Sequence, residues 1–332
     1  VKRPLRIAIT TGDADGIGTE IAAKALARLK PSPGVHFLLW RSPRCPRRDL
    51  ALIDKAFKRI TVSSWHEALG APVESHKQIV DINSNLPPPI WVETTAKASH
   101  FGHVDAMVTA PISKTSIRAA GLADLGHTDI LRRVAKTPDL FMGFIGDKFN
   151  VLLATAHIPL AEVSGRLTAS CICSALAEAN RMRGLLDKRR AKRPLALLGL
   201  NPHAGEDGLI GPEEGRAHRE ALIVARSGGL EVDGPLVPDA AFFEENWRKY
   251  SVFIANYHDQ GLIPFKMTHG QRSGVHITMG LPFVRTSVDH GTAKNIFGKN
   301  KADASSMTLA IEWAARLARI AASPGKLAEP AY

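Results

Sequence analysis

The chain has 332 residues, of which 45% are hydrophobic and 23% charged, a balance that suits a globular protein of one or two domains. No apolar run approaches the ~20 residues of a membrane span and the first residues lack a signal-peptide core, so the sequence reads as cytoplasmic with no membrane partner. The formal charge of +11 lies largely in residues 41–48 and 181–193, read as solvated loops or helix ends, and with 6% aromatic residues and no RNP-type or zinc-finger motif nucleic acid is not an expected partner.

In chain order, "LRIAIT" at 5–10 predicts a strand running into a loop with Gly12, Gly16 and Gly18, followed by the amphipathic "GTEIAAKALARLK". Neither G-x-G-x-x-G nor G-x-x-x-x-G-K-[ST] fits these glycines. Asp13 and Asp15 would also repel a phosphate. A tight turn whose glycines allow positive φ and close packing is the alternative to an anion loop. Further β-branched runs follow: "VHFLLW", "VDAMVTAP", "LFMGFIG", "NVLLATAH", "LALLGLN", "SVFIANYHD", "GVHITMG" and "FVRTSV". Alternating with helical patterns, they predict an α/β fold with a largely parallel sheet. "ASSMTLAIEWAARLARIAA" closes the chain with helical periodicity and is expected to pack back on the N-terminal half. Cys45, Cys171 and Cys173 have no C-x-x-C spacing, which supports neither a disulfide framework nor a cysteine metal site.

Several predicted strands end in polar clusters, "TAPISK", "ATAHIPL", "LNPHAGE" and "YHDQG", and in open α/β sheets ligands bind beyond the carboxyl ends of strands. His157, His203 and His258 stand in three of these endings. Three imidazoles with open positions would hold a Lewis-acidic metal, although a single histidine at a strand end is more often structural.

The segments "GHTDIL", "LGLNPHAGEDG", "NYHDQGLIPFK" and "GLPFVRTSVDHGTA" resemble the 4-hydroxythreonine-4-phosphate dehydrogenase (PdxA) family of vitamin B6 synthesis. The resemblance runs from "GDADGIG" to Asp303. It implies a two-domain fold like that of isocitrate and isopropylmalate dehydrogenases, with α/β/α layers and largely parallel sheets. The expected division is residues 1–121 plus 296–332 against 122–295, with the active site in the cleft between them. It further implies a homodimer with shared active sites, NAD or NADP, and one divalent metal ion: zinc, cobalt, manganese or magnesium. The substrate would be a small phosphorylated hydroxy acid, 4-hydroxythreonine 4-phosphate, oxidised at C3 and then decarboxylated.

Residue by residue, the resemblance makes His157, His203 and His258 the metal ligands, His258 serving the neighbouring subunit's site. His127, Thr128, Lys266 and Arg285 would contact substrate, with Lys266 and Arg285 supplying fixed positive charge for a phosphate. Asp239 would orient a polar substrate group, and Asp259 or a metal-bound water would be the general base. The cofactor signature is "DHGTAKNIFGKNKAD", with Gly291, Thr292, Ala293 and Asn295 at a turn expected to open a helix.

Some positions depart from the family pattern. His276 replaces a substrate-contacting asparagine, one extra residue sits in "KMTHGQRSG", and Phe297 and Asn300 replace small residues. Thr11 and Asp15 stand where proline and alanine are common. These changes keep open a related sugar-acid substrate (erythronate or threonate 4-phosphate), a cis-dihydrodiol, or a silent relative that binds a metabolite or nucleic acid.

Overall fold

The computed structural model describes residues 3–270 and 273–322. Residues 271 and 272, within the stretch that carries the extra residue, lie outside them. Twelve strands are formed among the described residues: β1 (Leu5–Thr10), β2 (Val35–Arg41), β3 (Lys58–Val62), β4 (Gln78–Asn83), β5 (Ala106–Thr109), β6 (Phe141–Gly146), β7 (Asn150–Leu153), β8 (Leu195–Leu198), β9 (Val232–Leu236), β10 (Phe253–Ala255), β11 (Gly274–Met279) and β12 (Val284–Ser287).

The described residues divide into two compact units, one of those up to Pro138 together with those from 281 to 322, the other of Asp139–Gly280. The sequence expectation drew the divisions at 121/122 and 295/296. The helix that begins at His127 and strand β12 therefore belong to the first unit.

In the first unit the strand order is β3-β4-β2-β1-β5-β12, and every neighbouring pair is parallel. Parallel strands bury both faces, and the alternation shows it. Ala8, Leu38, Trp40, Val80 and Ile82 pack with Ala68, Trp91 and Ala98 from the covering helices. Ile7, Ile9 and Leu39 on the opposite face are equally buried. That face is covered by helices Gly18–Arg28 and Ser305–Ala321, the second of which packs against β1, β5 and β12 as its periodicity predicted. Trp40 stacks between Trp65 and Trp91 at centroid distances of 5.3 and 5.9 Å and donates from Nε1 to Thr95 Oγ1 at 3.0 Å. Aromatic pairs of this kind add ~0.5–1.5 kcal/mol beyond the area they bury.

In the second unit the order is β11-β6-β7-β10-β8-β9. β7, β10, β8 and β9 run parallel, while β6 is antiparallel to both its neighbours. The core gathers Phe144, Phe149, Phe253 and Phe265 with Val151, Leu153, Leu198 and Tyr250. Strands β3, β4 and β9 escaped the sequence reading. β3 has only exposed and half-buried residues, and β9 carries Gly234 and Pro235, so neither shows the continuous apolar run that marks a buried strand.

The basic segments also need correction. Arg41 is not solvated: it ends β2, is 5% exposed, and donates from Nε and Nη2 to Asp81 at 2.7 and 2.9 Å. Arg190 donates to the carbonyls of Gly146 and Asp147, and Arg193 to that of Trp247. Much of this charge therefore ties chain segments together. The three cysteines are free and half-buried, and burial raises each thiol, Cys45 to about 12.

Candidate active site

In the first unit, parallel register sets Met107 beside Arg285 and Thr109 beside Ser287. From there Arg285 Nη2 donates to Thr109 Oγ1 at 2.7 Å. The guanidinium is 4% exposed, and burial lowers its pKa from the ordinary value, since taking a charge out of water disfavours the charged form. His127, the first residue of helix His127–Ala135, lies in the same field. Burial, and then the charge of Arg285, push it down to about 3 despite a hydrogen bond to the Ala110 carbonyl. It is a neutral imidazole at ordinary pH.

His127 Nε2 is buried with no partner among the described residues, and so are Thr10 Oγ1 and Thr11 Oγ1 at the end of β1. Thr10 is the register partner of Thr109. Buried polar atoms without a protein partner mark where water or a ligand belongs. Thr128 follows on the first turn of the helix and is half-buried. The combination is a cation, a neutral imidazole and several hydroxyls at the carboxyl ends of parallel strands, suited to an oxygen-rich anion.

The glycine-rich loop after β1 is a packing device. Gly12 has φ +68°, and a Cβ on it would lie 2.1 Å from the Pro111 carbonyl oxygen; on Gly18 it would lie 1.8 Å from that of Thr11. The loop cradles the cofactor signature. Ile17 N donates to Thr292 O at 3.0 Å, and Lys294 Nζ meets Asp15 Oδ2 at 2.9 Å and Asp13 Oδ2 at 3.4 Å. Further on, Glu20 Oε1 accepts from Ala302 N at 2.9 Å. Ala293 adopts φ +45°, and the expected helix after it is one 3-10 turn, Lys294–Ile296. So short a turn has no useful dipole. What the segment offers a dinucleotide is an exposed, Cβ-free approach at Gly291, with Thr292 half-buried and Asn295 exposed beside it. A non-glycine residue held in the left-handed region is a feature that clusters at ligand clamps.

In the second unit, β7 and β10 pair with Leu153 beside Ala255. The ladder continues past both strands, with Ala154 N donating to Ala255 O at 2.8 Å and Thr155 N to Asn256 O at 3.1 Å. Two residues beyond Thr155 and Asn256 stand His157 and His258, their ring centroids 5.4 Å apart within one chain. His258 Nδ1 lies 2.7 Å from Asp259 Oδ1. A carboxylate on one ring nitrogen fixes the ring and leaves the other to a metal, the usual support of a ligating histidine. Asp259 is thus committed to His258, which argues against its expected role as free base.

His203 is exposed and opens a run of six residues with positive φ, His203 to Gly208. Glu214, 6% exposed, anchors the run by accepting from Leu200 N and Asn201 N at 2.8 and 2.6 Å. Among the described residues no group of three or more His, Cys, Asp or Glu side chains gathers as a metal site. Two of the expected ligands are together and the third is not. The donor chemistry of the His157/His258 pair fits one divalent ion that takes a further ligand from elsewhere.

Lys266 is exposed on helix His258–His269, and Asp239 is exposed on the turn Pro238–Ala241. His276 is 6% exposed in β11 and stacks on Phe144 with centroids 5.0 Å apart. Sequence reasoning missed Thr109, Lys294 and Glu214. Thr109 lies in "TAPISK", one of the polar strand endings, and Lys294 in the cofactor signature itself, which were the available signals; Glu214 carries none.

Residues 90–314 match the family model described as pyridoxal phosphate biosynthetic protein PdxA. The chain is similar to a 4-hydroxythreonine-4-phosphate dehydrogenase of Sulfurihydrogenibium sp. (strain YO3AOP1), 35% identical over 331 residues and covering 95% of this chain and 99% of that one. Among solved structures it is similar to the 4-hydroxythreonine-4-phosphate dehydrogenase of Klebsiella pneumoniae, with TM-score 0.78, 33% identity, and 95% and 99% of the two chains covered. It is also similar to a terephthalate 1,2-cis-dihydrodiol dehydrogenase of Burkholderia xenovorans LB400, with TM-score 0.60, 25% identity, and 95% and 98% covered.

Proposed function

The chain belongs to the PdxA family and is a dehydrogenase, and we propose that it oxidises 4-hydroxythreonine 4-phosphate at the C3 hydroxyl with NAD or NADP. Loss of carbon dioxide then follows, in the synthesis of pyridoxal 5′-phosphate. The observation that carries the choice of a phosphorylated substrate is the buried Arg285 beside neutral His127. A buried guanidinium gains most from an anion that shares its low-dielectric surroundings. A dihydrodiol without phosphate offers no such charge.

In this reading Arg285 grips the anion with its planar fork while Thr109 Oγ1, accepting from Nη2, holds the fork in place. His127 donates one ring proton to the Ala110 carbonyl, so Nε2 is an acceptor that orients a substrate hydroxyl. Lys266 adds a point charge for the phosphate, Thr128 a hydroxyl, and Asp239 an acceptor for a polar substrate group. Gly291, Thr292, Ala293 and Asn295 present the turn on which the nicotinamide dinucleotide lies. His157, His203 and His258 would hold a divalent ion, zinc, cobalt, manganese or magnesium, which when bound lowers the pKa of a substrate hydroxyl and favours loss of hydride. Asp259 keeps the His258 ring in the orientation this needs. A cytoplasmic homodimer is part of the same proposal.

The test is NADH or NADPH formation by the purified chain on the 4-phosphates of hydroxythreonine, erythronate and threonate and on a cis-dihydrodiol, with and without added metal. Highest kcat/KM on hydroxythreonine 4-phosphate supports the proposal. Preference for either sugar-acid phosphate reassigns the substrate within the phosphorylated class, and preference for the dihydrodiol removes the anion role of Arg285.

A further inference from the structure

Asn256 lies two residues before His258 and is fully buried. Every polar group it has is engaged, with partners at the ends of β7 and β8 and on the helical segments that carry His218 and Gln260. Its carbonyl accepts from Thr155 N at 3.1 Å and Thr155 Oγ1 at 2.7 Å, two residues before His157. Its Nδ2 donates to Leu198 O at 2.9 Å, at the end of the strand that leads to His203. Its Oδ1 is 2.8 Å from Nε2 of the buried His218. Because Nδ2 is spent on a carbonyl, Oδ1 is the acceptor and His218 the donor. Gln260 completes the brace, accepting from Asn256 N at 2.7 Å and donating to Gly199 O at 2.7 Å.

We propose that Asn256, supported by Gln260, is a positioning residue that fixes the mutual placement of the strand ends carrying His157, His203 and His258. A side chain that only filled space would need no such set of partners. A ligand pair, in contrast, tolerates little error, because metal–nitrogen distances are short and fixed. Asn256 itself does not touch the metal. It holds the backbone from which two ligands project, so its loss loosens the pair before the ion arrives. The inference rests on the metal-site reading above.

Within the same unit, Asn150 provides a matched control. It is 2% exposed, donates from Nδ2 to Ser251 O at 2.8 Å and accepts from Gly146 N at 3.2 Å. It therefore ties β7 to the chain entering β10 at the end opposite the histidines.

Zinc affinity of the purified full chain is measured by competition with a chromophoric chelator, alongside the visible spectrum of the cobalt-loaded protein and thermal unfolding of the metal-free protein. Asn256→Ala is expected to weaken zinc binding about 10-fold or more and to change the cobalt spectrum. Asn150→Ala is expected to lower the unfolding temperature comparably while zinc affinity stays within about twofold of wild type, as for a hydrogen bond that supports only the fold. Thr155→Val and Gln260→Met, which each remove one strut, replace Asn256→Ala if that variant does not fold. Wild-type zinc affinity in the Asn256 variant, or in both strut variants, overturns the inference, as does an equal loss in Asn150→Ala. A wild-type chain that takes up neither zinc nor cobalt removes the metal reading itself, and this inference with it.

Discussion

Lys294 Nζ lies 2.9 Å from Asp15 Oδ2, joining the loop after β1 to the turn at 291–295. The two side chains are 42% and 63% exposed, so the pair adds only ~0–1 kcal/mol to stability. Its effect is to hold a turn that contains a left-handed alanine. Asp15→Ala is predicted to raise the cofactor KM about two- to fivefold with unfolding free energy changed by less than ~1 kcal/mol. The rise should shrink in high salt, where the wild-type pair is itself screened. Steady-state kinetics at two ionic strengths check this, and an unchanged cofactor KM would refute it.

Arg285→Ala is predicted to cost about 2–4 kcal/mol of substrate interaction while leaving the cofactor KM nearly unchanged. Arg285→Lys should restore little, because an ammonium cannot reproduce a fork seated on Thr109. Equal losses for a phosphorylated substrate and its dephosphorylated analogue would show that the guanidinium does not read the phosphate.

His127 sets a pH signature. Its pKa falls from the ordinary 6.5 to about 3 in the folded chain. Below pH 6.5 the unfolded chain therefore binds a proton that the folded chain refuses. The stability owed to a neutral His127 is complete above 6.5 and is lost as pH falls toward 3, by up to ~1.4 kcal/mol per pH unit. His127→Gln should flatten the fall in denaturant midpoint across that window. An unaltered profile would mean that His127 is not held neutral in the fold.

The subunit sharing expected from sequence gave His258 to the neighbouring site, yet within one chain its ring lies 5.4 Å from His157. If a homodimer shares its sites, His203 is the ligand that crosses. Doubly tagged mixed dimers check this. His157→Ala paired with His203→Ala should regain one whole site and about half the wild-type zinc content. His157→Ala paired with His258→Ala should regain none. The reverse pattern would return His258 to the partner's site.

The sequence by itself determined the α/β class, nine of the strands, the closing helix and the family, because buried parallel strands must be continuously apolar and the family's motifs are long. Tertiary structure decided the rest. That Arg285 is buried, and that its charge adds to the burial that keeps His127 neutral, follows from which strands lie beside β12, and register between strands is not written in either strand alone. The pairing of His157 with His258 comes from the β7–β10 ladder running on past both strands to Asn256. The glycine loop after β1 shows the same division. Its residues exclude a phosphate loop, but only the packed chain reveals that its carboxylates hold Lys294 and its glycines clear a path for neighbouring carbonyls.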